Sequence, residues 1–171
     1  KKDIRSLNED ELKEILTNNS FKSFRANQIY HWIWKKSAHS FDEMSNLPES
    51  LIKFLKDNFV INFIEVHRMQ KSSDGTIKNA IKLFDGYIVE CVLIPTKNRI
   101  TACVSSQVGC SLNCKFCATA KLKRMRNLNP DEIYDQVVLI HQQSIEHFQR
   151  PLTNIVFTVS YTHLTLPTIA E

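Results

Sequence analysis

Three thiols within eight residues, Cys110, Cys114 and Cys117, stand in a C-x3-C-x2-C array inside the run Cys103-Val104-Ser105-Ser106-Gln107-Val108-Gly109-Cys110-Ser111-Leu112-Asn113-Cys114-Lys115-Phe116-Cys117. One short loop with this spacing can wrap an inorganic cluster. Four thiolates complete a cubane 4Fe-4S centre, so a three-cysteine loop leaves one iron for a ligand that is not protein. Zinc is the alternative metal, although zinc usually takes paired C-x2-C units and no cysteine follows Cys117. His141 and His147 come only later, in a stretch that reads as helix. Plain thiols are the third reading. On the residues alone, an electron-transfer module and a zinc-dependent nucleic-acid-binding module therefore stand beside an iron-sulfur enzyme.

Composition bounds what such a loop can belong to. A chain of 171 residues, 43% hydrophobic and 23% charged, can bury the core of one domain or of two small ones. Its formal charge of +4 permits a polyanionic partner without requiring one. No apolar run approaches the ~20 residues of a membrane span, and the opening Lys1-Lys2-Asp3-Ile4-Arg5 lacks the apolar stretch of a signal peptide. Five cysteines, an odd number with three in one loop, fit a reducing, cytoplasmic setting better than a disulfide framework.

The elements that must position the loop are legible in period and punctuation. Asn8, with Glu11 three residues on, reads as the start of a helix carrying Leu12, Ile15 and Leu16. Ser23 reads as the cap of a second helix over 24–36, with Phe24, Ile29, Trp32 and Ile33 as its apolar face and Lys35 and Lys36 at its C-terminal end. Residues 41–44 read as a brief turn, and Pro48 as the first position of a third helix through Leu51, Phe54 and Leu55. Residues 1–60 thus form a small helical module, in which Trp32 belongs to the core rather than to a base-stacking surface.

From 61 to 98 the period alternates. A strand over 63–69, a turn at Ser72-Ser73-Asp74-Gly75, a strand over 76–84, a turn at Asp85-Gly86 and a strand over 87–94 stopped by Pro95 make an antiparallel meander. Glu90 is the odd residue of its strand and, by its context, faces solvent on the polar side. A strand over 100–105 then carries Cys103 into the cysteine loop. Beyond the loop, Lys115, Lys121, Lys123, Arg124 and Arg126 form a basic run that suits a phosphate backbone and equally suits a solvated surface. Asn129 and Pro130 open a helix with Asp131 and Glu132 in its first turn and Ile133, Val137, Ile140 and Ile145 as its packing face. With Asn154-Ile155-Val156-Phe157 as the next strand, the segment is a βαβ unit of parallel sheet. The fold class is α+β followed by α/β.

Phe116 before the last cysteine, and the basic stretch after it, give the array the look of the radical S-adenosylmethionine (SAM) signature. More specifically, residues from about Asp3 to Phe157 resemble the dual-specificity radical SAM adenine C2-methyltransferases that modify 23S ribosomal RNA and tRNA. The matching residues are Phe24-Arg25-Ala26 with Gln28-Ile29 and Trp32-Ile33, Ser40-Phe41-Asp42-Glu43-Met44, Ser73-Asp74-Gly75-Thr76, Val89-Glu90 with Val92-Leu93-Ile94-Pro95, and the block from Cys103 to Cys110. The similar resistance methyltransferases that act at adenine C8 share the cysteine pattern, so regiochemistry stays open.

The resemblance implies a 4Fe-4S cluster on Cys110, Cys114 and Cys117, SAM chelating the open iron, and Phe116 beside that cofactor. It implies that a 5′-deoxyadenosyl radical takes hydrogen from a methyl group carried on a protein cysteine and that the resulting methylene radical adds to adenine. Glu90 would move a proton at the ring, and Cys103 would release the protein–RNA adduct through a disulfide. It further implies an electron donor such as flavodoxin, a monomer at full length, no membrane partner, and a partial (β/α) barrel of which 99–157 is the start, with 61–98 connecting it to the helical module. The family's Gly-Glu-Pro turn and methyl-carrying cysteine have no counterpart here. After Phe157 the sequence resembles a translated sequencing adapter, so 158–171 is expected to be non-native and the chain, a truncated portion, is expected not to methylate RNA.

Overall fold

The Asn8 amide group satisfies an open helix end as its position demands. It accepts from the Glu11 backbone N–H at 2.8 Å, and the Glu11 carboxylate accepts from the Asn8 N–H at 2.7 Å. In the computed structural model, which describes residues 1–110 and 123–158, this box starts α1 (Glu9–Asn18). The chain divides into two compact units, Lys1–Asn62 and the residues from Phe63 onward. Cys114, Phe116, Cys117, Lys115, Lys121 and the tail from 159 lie outside the described residues.

In the first unit, α2 (Arg25–Trp34) and α3 (Glu49–Asn58) follow α1. Two sequence expectations need correction. Ser23 does not cap α2 with its side chain: the cap is Phe24, already in helical backbone, and Ser23 only offers its carbonyl to the Ala26 N–H at 3.0 Å. Phe24 is exposed with the Arg25 guanidinium 4.8 Å from its ring centroid, so the buried face is Ala26, Ile29 and Ile33. Pro48 is the cap of α3, not its first residue, and its carbonyl receives the Leu51 and Ile52 N–H groups at 3.0 Å. Leu12, Leu16, Ile29, Met44, Leu51 and Leu55 are fully buried together, with Trp32 packed against them. Trp32 also donates to Asn46 at 2.6 Å and lies under the Lys36 ammonium, so it is the half-buried edge of a core. A short parallel pair, β1 (Lys2–Asp3) with β2 (Phe59–Val60), ties the two ends of the unit.

The second unit is a five-stranded mixed sheet with one long helix. Strands β3 (Glu65–Lys71), β4 (Ile77–Lys82), β5 (Ile88–Pro95) and β6 (Ile100–Ser105) form the antiparallel meander. A second, minor ladder pairs β7 (Gln107–Val108) with β8 (Arg126–Asn127). The chain then runs through α4 (Pro130–Phe148) into β9 (Asn154–Thr158), which joins the sheet beside β6 in parallel, giving the order β3-β4-β5-β6-β9. Pro95 ends β5 from within the ladder, opposite Ile100. The edge strand β3 is exposed along its whole length, and a register shift between Val66 and Arg68 bends it, as charge and bulges do for free edges. Among the described residues no helix is long and apolar enough to cross a membrane.

One face of the sheet, carrying Ile77, Ile81, Val89, Cys91, Leu93, Ile100, Ala102 and Val104, buries against α4 through Ile140, with Ile133 and Val137 alongside. Ile145, expected on that face, is instead exposed. Its place is taken by amides: Gln143 and Asn79, both buried, exchange two reciprocal hydrogen bonds of 2.8 Å between helix and sheet. Removing one partner of a buried pair strands the other without solvent. Asn79→Leu should therefore lower stability by about 1–3 kcal/mol in urea denaturation, while Asn79→Leu with Gln143→Leu should recover part of the loss. Losses that simply add would show that the two amides are not coupled.

Candidate functional site

Alternation along β5 decides what each chemically capable residue can do. Val92 lies opposite Cys103 in the β5–β6 ladder. Successive strand residues point to opposite faces, so Glu90, Val92 and Cys103 share one face while Cys91 joins the core on the other. Burial drives the Cys91 thiol far above its ordinary range, only partly offset by the Asn79 amide. It is a packing residue.

Glu90 does not face solvent: it is 7% exposed. The reason is its partner. Ala80 of β4 lies directly opposite it, and from two residues along that strand the Lys78 ammonium reaches diagonally to within 3.1 Å of the Glu90 Oε1. The backbone of Glu90 is fixed as well. The β5–β6 ladder runs only as far as the Val92–Cys103 pair, and beyond it the Ser105 hydroxyl donates to the Glu90 carbonyl at 2.7 Å. Ser105 in turn is gripped by the Gln136 amide of α4, which accepts from its N–H at 2.9 Å and donates to its carbonyl at 3.1 Å. A side-chain amide here does the work of a neighbouring strand.

Cys103 is buried beside this end of the sheet. Burial raises its thiol above the ordinary range, and a hydrogen bond with the Thr158 hydroxyl offsets part of the effect. Thr158 is thus the last residue of β9, bonded through its hydroxyl to the Val104 carbonyl at 3.0 Å, although the expected tail begins with it. Cys91, Cys103 and Cys110 form no disulfide.

The base of the cysteine loop is closed by β7 and β8, with Val108 opposite Arg126, and by the Met125 N–H donating to the Val108 carbonyl at 2.9 Å. Gly109 makes the closure possible. Its φ is +71°, and a Cβ there would stand 2.2 Å from the Lys123 carbonyl oxygen, so no L side chain fits. Cys110 follows at once and is buried. A reduced, buried thiol at the mouth of a pinned loop suits a metal-cluster ligand. Among the described residues no three His, Cys, Asp or Glu side chains form a metal-holding group; Cys114 and Cys117, like Phe116, lie outside them.

The basic run divides. Lys123 and Arg124 are exposed, but Arg126 is committed to carboxylates and is withdrawn from the phosphate-contacting set. Its guanidinium makes a bidentate pair with Glu132, both bonds 2.7 Å, and donates to Asp85 at 2.7 Å, with Phe84 packed 5.5 Å beneath. Glu132 also accepts from the Asn129 N–H at 2.8 Å, completing the capping box of α4. The hydrogen bonds to both carboxylates raise the Arg126 pKa further despite its burial. Burial pushes the Asp85 carboxyl up, yet the Arg126 hydrogen bond and charge, with the Tyr87 and Asp85 N–H groups, outweigh it and leave it below the usual carboxylate range. Sequence reasoning missed Lys78, Gln136 and this Arg126 centre. Only the spacing of Asn129 and Glu132 gave a local signal, since the other partners are brought together by register.

Residues 2–61 match the family of ribosomal RNA large subunit methyltransferase N-terminal domains. Over 157 residues, 92% of the chain, it is 66% identical to a protein of Christiangramia forsetii and 61% identical to one of Flavobacterium psychrophilum, each named a probable dual-specificity RNA methyltransferase RlmN. The chain spans about 45% of the length of these curated relatives. The crystal structure of a radical SAM methyltransferase from Sphaerobacter thermophilus, 34% identical, superposes with a TM-score of 0.75 over 92% of this chain and 47% of that one.

Arg126→Met should leave Glu132 buried without its counter-ion and cost about 3 kcal/mol in thermal or urea denaturation. Asp85→Asn, at the more open end, should cost less than about 1 kcal/mol. Because the Asp85 carboxyl is held low, its contribution is complete above about pH 4 and fades as pH falls below that. The deficit of Asp85→Asn against the parent should therefore shrink in acid; a deficit that stays constant from neutral to about pH 2 would remove the ion pair as its cause.

Proposed function

We propose a function from the premise that this chain belongs to the RlmN family. It forms the portion of a radical SAM RNA methyltransferase that carries the cluster cysteines, a proton-moving carboxylate and a resolving thiol, and the whole enzyme places a methyl group on C2 of an adenine in 23S rRNA and tRNA. Residues 1–60 serve as an accessory helical domain, 61–98 connect it to the catalytic part, and 99–157 begin a partial (β/α) barrel. One observation carries the reading beyond resemblance: Glu90 and Cys103 share the same buried face where β5 and β6 stop pairing, and Ser105 leads from there directly into the loop of Cys110.

Cys110, Cys114 and Cys117 would hold the 4Fe-4S cluster, and Phe116 would lie beside SAM. Together these groups supply one-electron chemistry, which bond formation at an electrophilic aromatic carbon needs. The chain's own residues have narrower tasks. Once a methylene radical has bonded to C2, restoring the aromatic ring takes the loss of one electron, which a bound 4Fe-4S cluster would accept, and of the C2 hydrogen as a proton, which the Glu90 carboxylate is the group held to take. Cys103 is the thiol that frees RNA from a covalent protein adduct: as the thiolate its sulfur bonds to the carrier cysteine's sulfur, the carbon–sulfur bond to the RNA breaks with its electron pair left on the carbon, and that carbon takes up a proton to become the methyl group. Exposed Lys123 and Arg124, together with Lys121, meet phosphates without reading sequence. A one-electron donor such as flavodoxin completes the set of partners, and the full-length enzyme works as a monomer.

Anaerobic reconstitution tests the ligand set: Cys110→Ala, Cys114→Ala and Cys117→Ala should each lose most of the bound iron and the broad visible absorption. Full iron retention in Cys114→Ala would overturn it. In a full-length enzyme carrying residues 1–157 of this chain, Cys103→Ala should still bind iron yet accumulate covalently attached RNA, whereas Cys91→Val should stay within a few fold of the parent rate. Turnover by Cys103→Ala with no adduct would reduce Cys103 to a packing residue.

A further inference from the structure

We propose that Lys78 is a positioning residue that acts through Glu90, fixing the carboxylate for its work at the adenine ring. This rests on the reading of Glu90 given above. Lys78, Ala80 and Lys82 project from the same face of β4, yet their surroundings differ. Lys82 is exposed and stands opposite Ile88, whereas the Lys78 side chain is 20% exposed and stands opposite Val92 with its ammonium 3.1 Å from Glu90 Oε1. Ala80 is the β4 residue directly opposite Glu90, and Lys78, two residues along that strand and opposite Val92, is its diagonal neighbour on the same face.

Stability does not account for the pair. Two charges brought out of water regain little more than their desolvation costs, so an apolar pair of similar volume would serve the fold about as well. A carboxylate that must meet a ring proton gains something else: its orientation is set before substrate arrives. The anchors are independent, since the Ser105 hydroxyl holds the Glu90 backbone at 2.7 Å while Lys78 holds its side chain. Positional error at a proton-transferring group costs rate rather than affinity.

The test is a double-mutant cycle in a full-length enzyme carrying residues 1–157 of this chain, read by single-turnover methylation of bound RNA, by RNA affinity at two salt concentrations, and by urea denaturation. Lys78→Met should lower the single-turnover rate about tenfold to a hundredfold with RNA affinity unchanged. Lys78→Arg should restore most of it. In a Glu90→Gln background, Lys78→Met should have little further effect. A parent rate in folded Lys78→Met, an undiminished effect in the Glu90→Gln background, or weaker RNA binding with a shallower salt dependence would each overturn the proposal, the last by making Lys78 a phosphate contact. A parent rate in Glu90→Gln would instead overturn the assignment of Glu90 on which it rests.

Discussion

The Arg126 guanidinium is the interaction on which most of the second unit's irregular structure depends. Glu132 is almost fully buried, and an unpaired carboxylate there would be costly; the bidentate guanidinium removes that cost and reaches on to Asp85. Three features that are far apart in sequence are thereby fixed at once: the turn between β4 and β5, the strand β8 that leaves the cysteine loop, and the first turn of α4. The close approach of Gly109 to the Lys123 carbonyl secures the other side of the same loop base. The loop thus rises from a rigid base whose parts are held by charge, by strand pairing and by the absence of a side chain. A cluster held by ligands from one short loop needs such a base, because its protein ligands have no separate elements to place them.

What could be read from the sequence follows the range of each interaction. The capping box at Asn8, the helix start at Asn129 and Pro130, the hairpin turns and the extents of β4 and β5 are local, and each stands within a residue or two of its expected place. The helix caps at Phe24 and Pro48 shifted because a backbone carbonyl can do a cap's work without a side-chain oxygen. Glu90 failed for a different reason. The judgement that it faces water used only its neighbours along the strand, whereas its partner lies one strand away and two residues out of register. Arg126 failed likewise: a basic run looks the same in sequence whether its members meet solvent, phosphate or a buried glutamate.

Helix α4 shows why hydrophobic period alone misjudged a packing face. Ile145 is exposed while Asp131, Glu132, Asp135, Gln136, Gln143 and Ser144 are buried. Buried polar groups are tolerated only when satisfied, and the two glutamines are satisfied by the sheet. Gln136 closes the backbone of Ser105, where the β5–β6 pairing has ended, and Gln143 pairs with Asn79 on β4. An apolar side chain at position 136 would leave the Ser105 N–H and carbonyl without these partners at the very point where β6 turns toward the cysteines. The polar face of α4 is therefore the means by which the helix holds the end of the sheet in shape.

The same end of the sheet keeps two reactive groups in opposite conditions. Glu90 sits with a cation at contact distance, so its buried carboxylate has a counter-charge. Cys103, on the same face and one strand over, is buried with the Thr158 hydroxyl near it, and burial holds its thiol above the ordinary range. On the function proposed above, that difference has a use. A carboxylate that must accept a proton needs to be ready when the ring is substituted, while a thiol that attacks too early would consume the carrier cysteine before the methyl group had moved. Strand period, by placing Cys91 in the core and Cys103 on the face of Glu90, puts only one of these two thiols on the side of the sheet where that carboxylate lies.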